Sequence, residues 1–167
     1  MGSPWAERIN IIHADVKAPI AIGVEFSDQY DVIISNPPFY EKELKGDDTK
    51  KNIAHHNEGL LLPELLSVIK GTLKPGGKFY LLLPFRRNEE IRELIIKSEL
   101  SIRQLVFVRQ STKHEYFRIM LEGSFKTKET EATMIDEISI KEDPSSDKSG
   151  QYTPAFINLL KDYYLHL

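Results

Sequence analysis

The chain has 167 residues, 41% hydrophobic and 28% charged, with a formal charge of −3. That is one domain's worth of core in ordinary globular proportions, without the general basic excess of a nucleic-acid binder. Zero cysteines exclude disulfides, thiol nucleophiles and Cys-ligated zinc. No apolar run approaches the roughly 18 residues of a membrane span and no signal peptide precedes Trp5, so no membrane partner and a cytoplasmic location are expected.

Trp5 to Glu7 reads as the tail of a helix, and Ile9 to His13 as a strand closed by Ala14-Asp15-Val16. His13 is expected to be a packed strand residue rather than a ligand. Asp15 is either a capping or turn residue or an acceptor for a ligand's amino group. Lys17 to Gln29 forms a connector. Asp31 to Ile34 is a short β-branched run of the kind buried on both faces of a parallel sheet. It stops at Asn36-Pro37-Pro38, because proline offers no ladder N–H and forces the residue before it into extended backbone. A stiff corner at the carboxyl end of a buried strand sits where open α/β sheets bind ligands.

The order of residues at this corner has a chemical logic. An exocyclic amine on adenine is a poor nucleophile, since its lone pair is delocalised into the ring. The side-chain carbonyl of Asn36 and the backbone carbonyl of Pro37 can each accept a hydrogen bond from that NH2. Doing so favours a pyramidal nitrogen with its lone pair directed outward. Phe39 or Tyr40 can stack on the flat base, worth about 1–3 kcal/mol.

The segment 41–58 has mixed charge and no apolar period, and is expected to be an active-site loop. His55 and His56 are adjacent and lack an i+4 partner, so a substrate or cofactor contact is expected of them and a metal site is not. Leu61, Leu65, Ile69 and Leu73, with Leu62 and Leu66, predict a helix whose first turn accommodates Pro63. Lys74-Pro75-Gly76-Gly77 ends it, and Lys78 to Leu83 is a buried strand. Arg86 and Arg87 follow at the same sheet edge, either as phosphate contacts or as a solvated pair. Asn88 is expected to cap a helix running to about Leu100, with Ile91, Leu94 and Ile95 buried. Ile102 to Val108 and Tyr116 to Phe125 read as strands joined by a polar turn, hence antiparallel. Ile138 to Lys141 suggests a short edge strand, 143–150 a flexible loop, and Thr153-Pro154 the start of a last amphipathic helix carrying Phe156, Leu159, Leu160, Tyr163 and Tyr164.

Asn36-Pro37-Pro38-Phe39 at a strand end resembles the [DNS]-Pro-Pro-[FYW] motif of class I S-adenosylmethionine-dependent amino-methyltransferases. Nearly the whole chain shares the likeness. It is nearest to the bacterial enzymes that methylate the N6 amine of an adenine in valine tRNA. Softer supports are Ser3-Pro4-Trp5-Ala6, the histidine pair, Lys74-Pro75-Gly76-Gly77-Lys78-Phe79 and Tyr152-Thr153 with Phe156. The resemblance implies a Rossmann-like α/β sheet, mostly parallel with an antiparallel C-terminal strand pair. It further implies S-adenosylmethionine as cofactor and tRNA as substrate. By the same likeness Asn36, Pro37, Pro38 and Phe39 do the catalytic work, while Asp15, Val16 and Asn36 meet the cofactor. Tyr40, His55, His56, Arg86 and Arg87 would meet the substrate.

Two other readings use the same residues: a protein glutamine-N5 methyltransferase, whose target amide poses the same chemical problem, and a non-catalytic docking module of methyltransferase fold. The second is suggested by an absence. No G-x-G-x-x-G-like turn precedes Asp15, and Gly76-Gly77 leads into a strand rather than a helix. Residues 1–167 are therefore expected to be the C-terminal part of one catalytic domain that lacks the first two strands. Inactivity of the chain alone and a homodimer through an exposed sheet edge are the corresponding expectations.

Overall fold

The computed structural model describes residues 4–13, 15–16, 30–37, 61–127 and 132–163. Five strands form one sheet in the order β1-β2-β4-β3-β5: β1 (Tyr30–Ser35), β2 (Leu73–Pro84), β3 (Leu100–Arg109), β4 (Tyr116–Phe125) and β5 (Met134–Ser139). β1 pairs parallel with β2 and β3 with β5, while β4 runs antiparallel to both β2 and β3. One strand thus opposes the direction of the other four. The expected Rossmann-like sheet with an antiparallel β3–β4 pair is present.

Helix α1 (Leu62–Thr72) places Leu62, Leu65, Leu66 and Ile69 inside, which is the stripe its 3.6-residue period dictates. Leu61 lies just outside the helix and is 61% exposed; its N–H donates to the Glu64 carboxylate at 2.8 Å, which satisfies one of the helix's orphan donors. Helix α2 (Asn88–Lys97) buries Ile91 and Ile95. Both helices pack on one face of the sheet, against Phe79, Leu81, Leu83, Leu105, Ile119 and Leu121. On the other face Tyr80, Leu82, Val106 and Met120 remain half-buried.

The Lys-Pro-Gly-Gly segment has a particular geometry. Between Tyr30 and Val32 of β1, the partner position on β2 advances from Leu73 to Lys78, so residues 74–77 bulge out of the ladder. Gly76 takes φ +80° there, a conformation that costs an L side chain dearly. At Gly77 a Cβ would lie 3.0 Å from the Asp31 carbonyl oxygen. Lys74 closes the same corner with an ion pair to Asp31 at 2.8 Å.

Three expected boundaries are corrected. Ile9 to His13 is not a strand: a short 3-10 turn, Ala6–Arg8, precedes it, and Ile9, Ile11 and Ile12 are exposed. An extended segment becomes a strand only through a ladder partner, and none of the described residues pairs with it. This also removes the packed role foreseen for His13, which is exposed. Asn88 is the first helical residue rather than the cap; Arg87 occupies the cap position, and its side chain makes no capping bond to the helix backbone, while the Asn88 side chain accepts from Arg92 Nε at 3.2 Å. The last edge strand begins earlier, at Met134, and pairs with β3.

Helix α3 (Pro154–Leu160) starts as foreseen, with the Thr153 hydroxyl accepting from the Phe156 N–H. Leu159 and Tyr163 are nonetheless exposed. Among the described residues no helix is long and apolar enough to cross a membrane.

Candidate functional site

The carboxyl ends of β1, β2, β3 and β5 lie along one edge, and the antiparallel β4 begins there. β1 ends at Ser35, level with Leu81 of β2. Asn36 follows, exposed, and Pro37 is buried. The asparagine is therefore presented outward on a buried proline anchor. Among the described residues its side-chain amide makes no hydrogen bond, so both its carbonyl and its NH2 are unspent. Pro38, Phe39, Tyr40, His55, His56 and the loop 41–58 lie outside the described residues.

Two strands away, the same edge carries an aromatic and ionic cluster. Phe85 touches Phe107 edge-on and Tyr116 at a tilt, both with ring centroids 5.1 Å apart, and Phe107 lies 5.5 Å from Tyr116. Arg109 stacks over the Tyr116 ring at 5.2 Å. The Arg109 guanidinium also donates to Glu137 at 2.7 Å and to the Ser139 hydroxyl at 3.0 Å. Glu137 accepts from the Tyr116 hydroxyl as well. That bond and burial hold the Tyr116 phenol above its ordinary pKa, so it stays a neutral donor.

Arg86 and Arg87 sit in a 3-10 turn, Phe85–Arg87, directly after β2. Arg86 is exposed. Arg87 is committed to Glu90 through two bonds of 2.8 and 2.6 Å, and these hold its pKa above the usual arginine value. Spent on its own helix, Arg87 is a structural group in this arrangement. Asp15 and Val16 are both exposed, Val16 at 44%.

Sequence reasoning missed Arg109, Tyr116, Phe117 and Arg118 at this edge. The available signal was the run Tyr116-Phe117-Arg118 opening a strand, aromatics beside a cation at the sheet's ligand-binding side. Among the described residues no group of His, Asp and Glu side chains is assembled that could hold a metal ion.

No family model matches the chain. Among curated proteins it is 34% identical over 165 residues to a tRNA1(Val) (adenine(37)-N6)-methyltransferase of Dyadobacter fermentans, covering 98% of this chain and 64% of that one. A protein of the same name from Flavobacterium johnsoniae is 30% identical over 99% of this chain and 66% of its own length. Another from Shewanella baltica is 29% identical over 98% and 66%. The chain belongs to the class I S-adenosylmethionine-dependent methyltransferases. It spans about 66% of the length of curated relatives such as these. A solved structure of a predicted O-methyltransferase from Agrobacterium tumefaciens superposes with a TM-score of 0.64 at 16% identity, covering 93% of this methyltransferase-family chain and 64% of that one. At that identity the likeness speaks for the fold.

Proposed function

We propose that this chain serves S-adenosylmethionine-dependent methylation of the exocyclic N6 amine of an adenine in tRNA, in the cytoplasm. The observation that carries the proposal is Asn36, held outward on the buried Pro37 at the carboxyl end of β1 with its amide unspent. The names of the relatives supply the substrate class.

The unspent carbonyl fits a ligand amine, and exposed Asp15 and Val16 fit the adenosine end of the cofactor. When bound, S-adenosylmethionine supplies an electrophilic methyl group. The chain's own part is orientation. The Asn36 side-chain carbonyl and the Pro37 backbone carbonyl accept one N–H each from the base amine. The nitrogen lone pair is thereby turned out of the ring plane, and Phe39 or Tyr40 stacks on the base to hold it. Alignment of this kind lowers a barrier by removing orientational freedom before reaction.

The test is methyl transfer to tRNA, read as N6-methyladenosine by mass spectrometry of digested product. Asn36→Ala is expected to lower kcat about a hundredfold, the scale seen when one preorganised hydrogen-bonding group is removed. An Asn36→Ala variant as active as the parent overturns the role. Methylation of a protein glutamine in place of tRNA overturns the substrate. Calorimetry with S-adenosylhomocysteine on the same preparation separates two further outcomes. Micromolar binding supports the part given to these residues in holding the cofactor; no binding overturns it. Self-pairing along the open edge of β1 belongs to the same proposal and is argued below.

A further inference from the structure

We infer that Phe117 and Arg118 form a second contact with the substrate RNA, Phe117 stacking on a base that flanks the target and Arg118 meeting a phosphate. The inference rests on the reading of tRNA as substrate and names the surface that would hold it.

A single exposed phenylalanine needs no explanation. The geometry of this one does. From Val108 to Arg109 on β3, the partner position on β4 steps from Arg118 to Tyr116. Phe117 is therefore the extra residue of a β-bulge, a device that re-aims a side chain at the cost of ladder regularity. Here it leaves Phe117 41% exposed, while Tyr116 turns into the cluster with Phe85 and Phe107. The Arg118 guanidinium lies 5.5 Å from the Phe117 ring centroid and donates to the Phe117 carbonyl at 3.1 Å. Arginine and ring are thus held together as one flat, cationic platform.

The charge is unspent. Arg87 is paired with Glu90 and Arg109 with Glu137, but among the described residues no carboxylate pairs with Arg118. An aromatic face beside an uncompensated guanidinium is the combination that binds single-stranded nucleic acid without reading its sequence.

The position also suits the reaction. Arg118 is level with Pro84 on β2, whereas Ser35 is level with Leu81. Asn36 and Arg118 are thus two strands apart and about two residues out of level. At strand spacings of about 4.8 Å and a rise of about 3.3 Å per residue, this places them roughly 12 Å apart. A few nucleotides bridge that distance, so a target base at Asn36 leaves its neighbours over the platform.

The experiment uses the full chain with tRNA, reading binding by fluorescence anisotropy across a salt series and, in parallel, methyl transfer. Phe117→Ala is expected to weaken binding about tenfold, and Phe117→Trp to restore it. Arg118→Ala should reduce the slope of log affinity against log salt by about one, and Arg118→Lys should keep that slope. Both alanine variants should raise KM for tRNA with kcat little changed, since neither residue reaches the reacting amine. Parental binding by both alanine variants overturns the inference and leaves the substrate reading intact. If the parent chain neither binds nor methylates tRNA, the substrate reading fails and takes this inference with it.

Discussion

Gly123 shows how much one hydrogen atom in place of a side chain can decide. It faces Phe79 across the β2–β4 ladder, and a Cβ built on it would sit 2.2 Å from the Phe79 Cζ. Phe79 is fully buried between the sheet and helices α1 and α2. Its ring can lie flat over the strand only because the glycine has no side chain. Such a glycine inside a strand signals close approach, and Gly123→Ala should destabilise the fold by about 1–3 kcal/mol through overpacking. Thermal unfolding checks this; an unchanged midpoint means that the ring has another place to go. At the same scale, the place of Asn36 and Pro37 just past the end of β1 was legible, because a proline stops a ladder and extends the residue before it. Phe117 and Arg118 were not, because neither residue signals the bulge that pairs them on the surface. The register of β4 against β3 creates that pair.

Elements were read best where one periodicity acts alone. The apolar stripe of α1, the tight β3–β4 connection and the Thr153 cap of α3 each follow from local spacing. Ile9 to His13 has strand composition yet forms none, since a ladder is a property of two segments. The turns after β5 depend likewise on a tertiary contact. Asp143 accepts from the Ser145 N–H at 2.8 Å and the Ser145 hydroxyl at 2.6 Å, and pairs with Lys113 of the β3–β4 turn at 3.4 Å. The Ser145 bonds, aided by Lys113, lower its pKa from 3.8 to about 2. A depressed carboxylate pKa contributes stability that is complete above the unfolded value and lost as pH falls through the folded one. These turns should therefore hold at pH 5 and loosen between about pH 4 and pH 2. The Ser145 amide resonance should titrate with a midpoint near 2, and Asp143→Asn should abolish that step. A midpoint near 4 would show that the serine bonds are not kept in solution.

At the scale of the whole molecule, the sheet that the described residues form is lopsided. Helices α1 and α2 cover one face, while β1 ends the sheet on one side with Val32 and Ile34 exposed at 54% and 78%. β1 has a ladder partner only in β2 among the described residues. An unpaired, β-branched edge recruits another strand, and here Asp31, already bound to Lys74, is the one charged residue of the strand. Two copies meeting edge to edge would form antiparallel hydrogen bonds and cover both pairs of side chains. The chain should then self-associate as concentration rises, and Ile34→Lys should shift it toward monomer, because lysines opposed across the new ladder repel and resist burial. Sedimentation velocity distinguishes the cases. Ile34 precedes Asn36 by two residues, so the same substitution measured for tRNA methylation tells whether this edge serves only assembly. A variant that is monomeric and fully active would separate the two roles. A parent chain that stays monomeric at every concentration would show that something other than a second copy, or simply water, satisfies the edge.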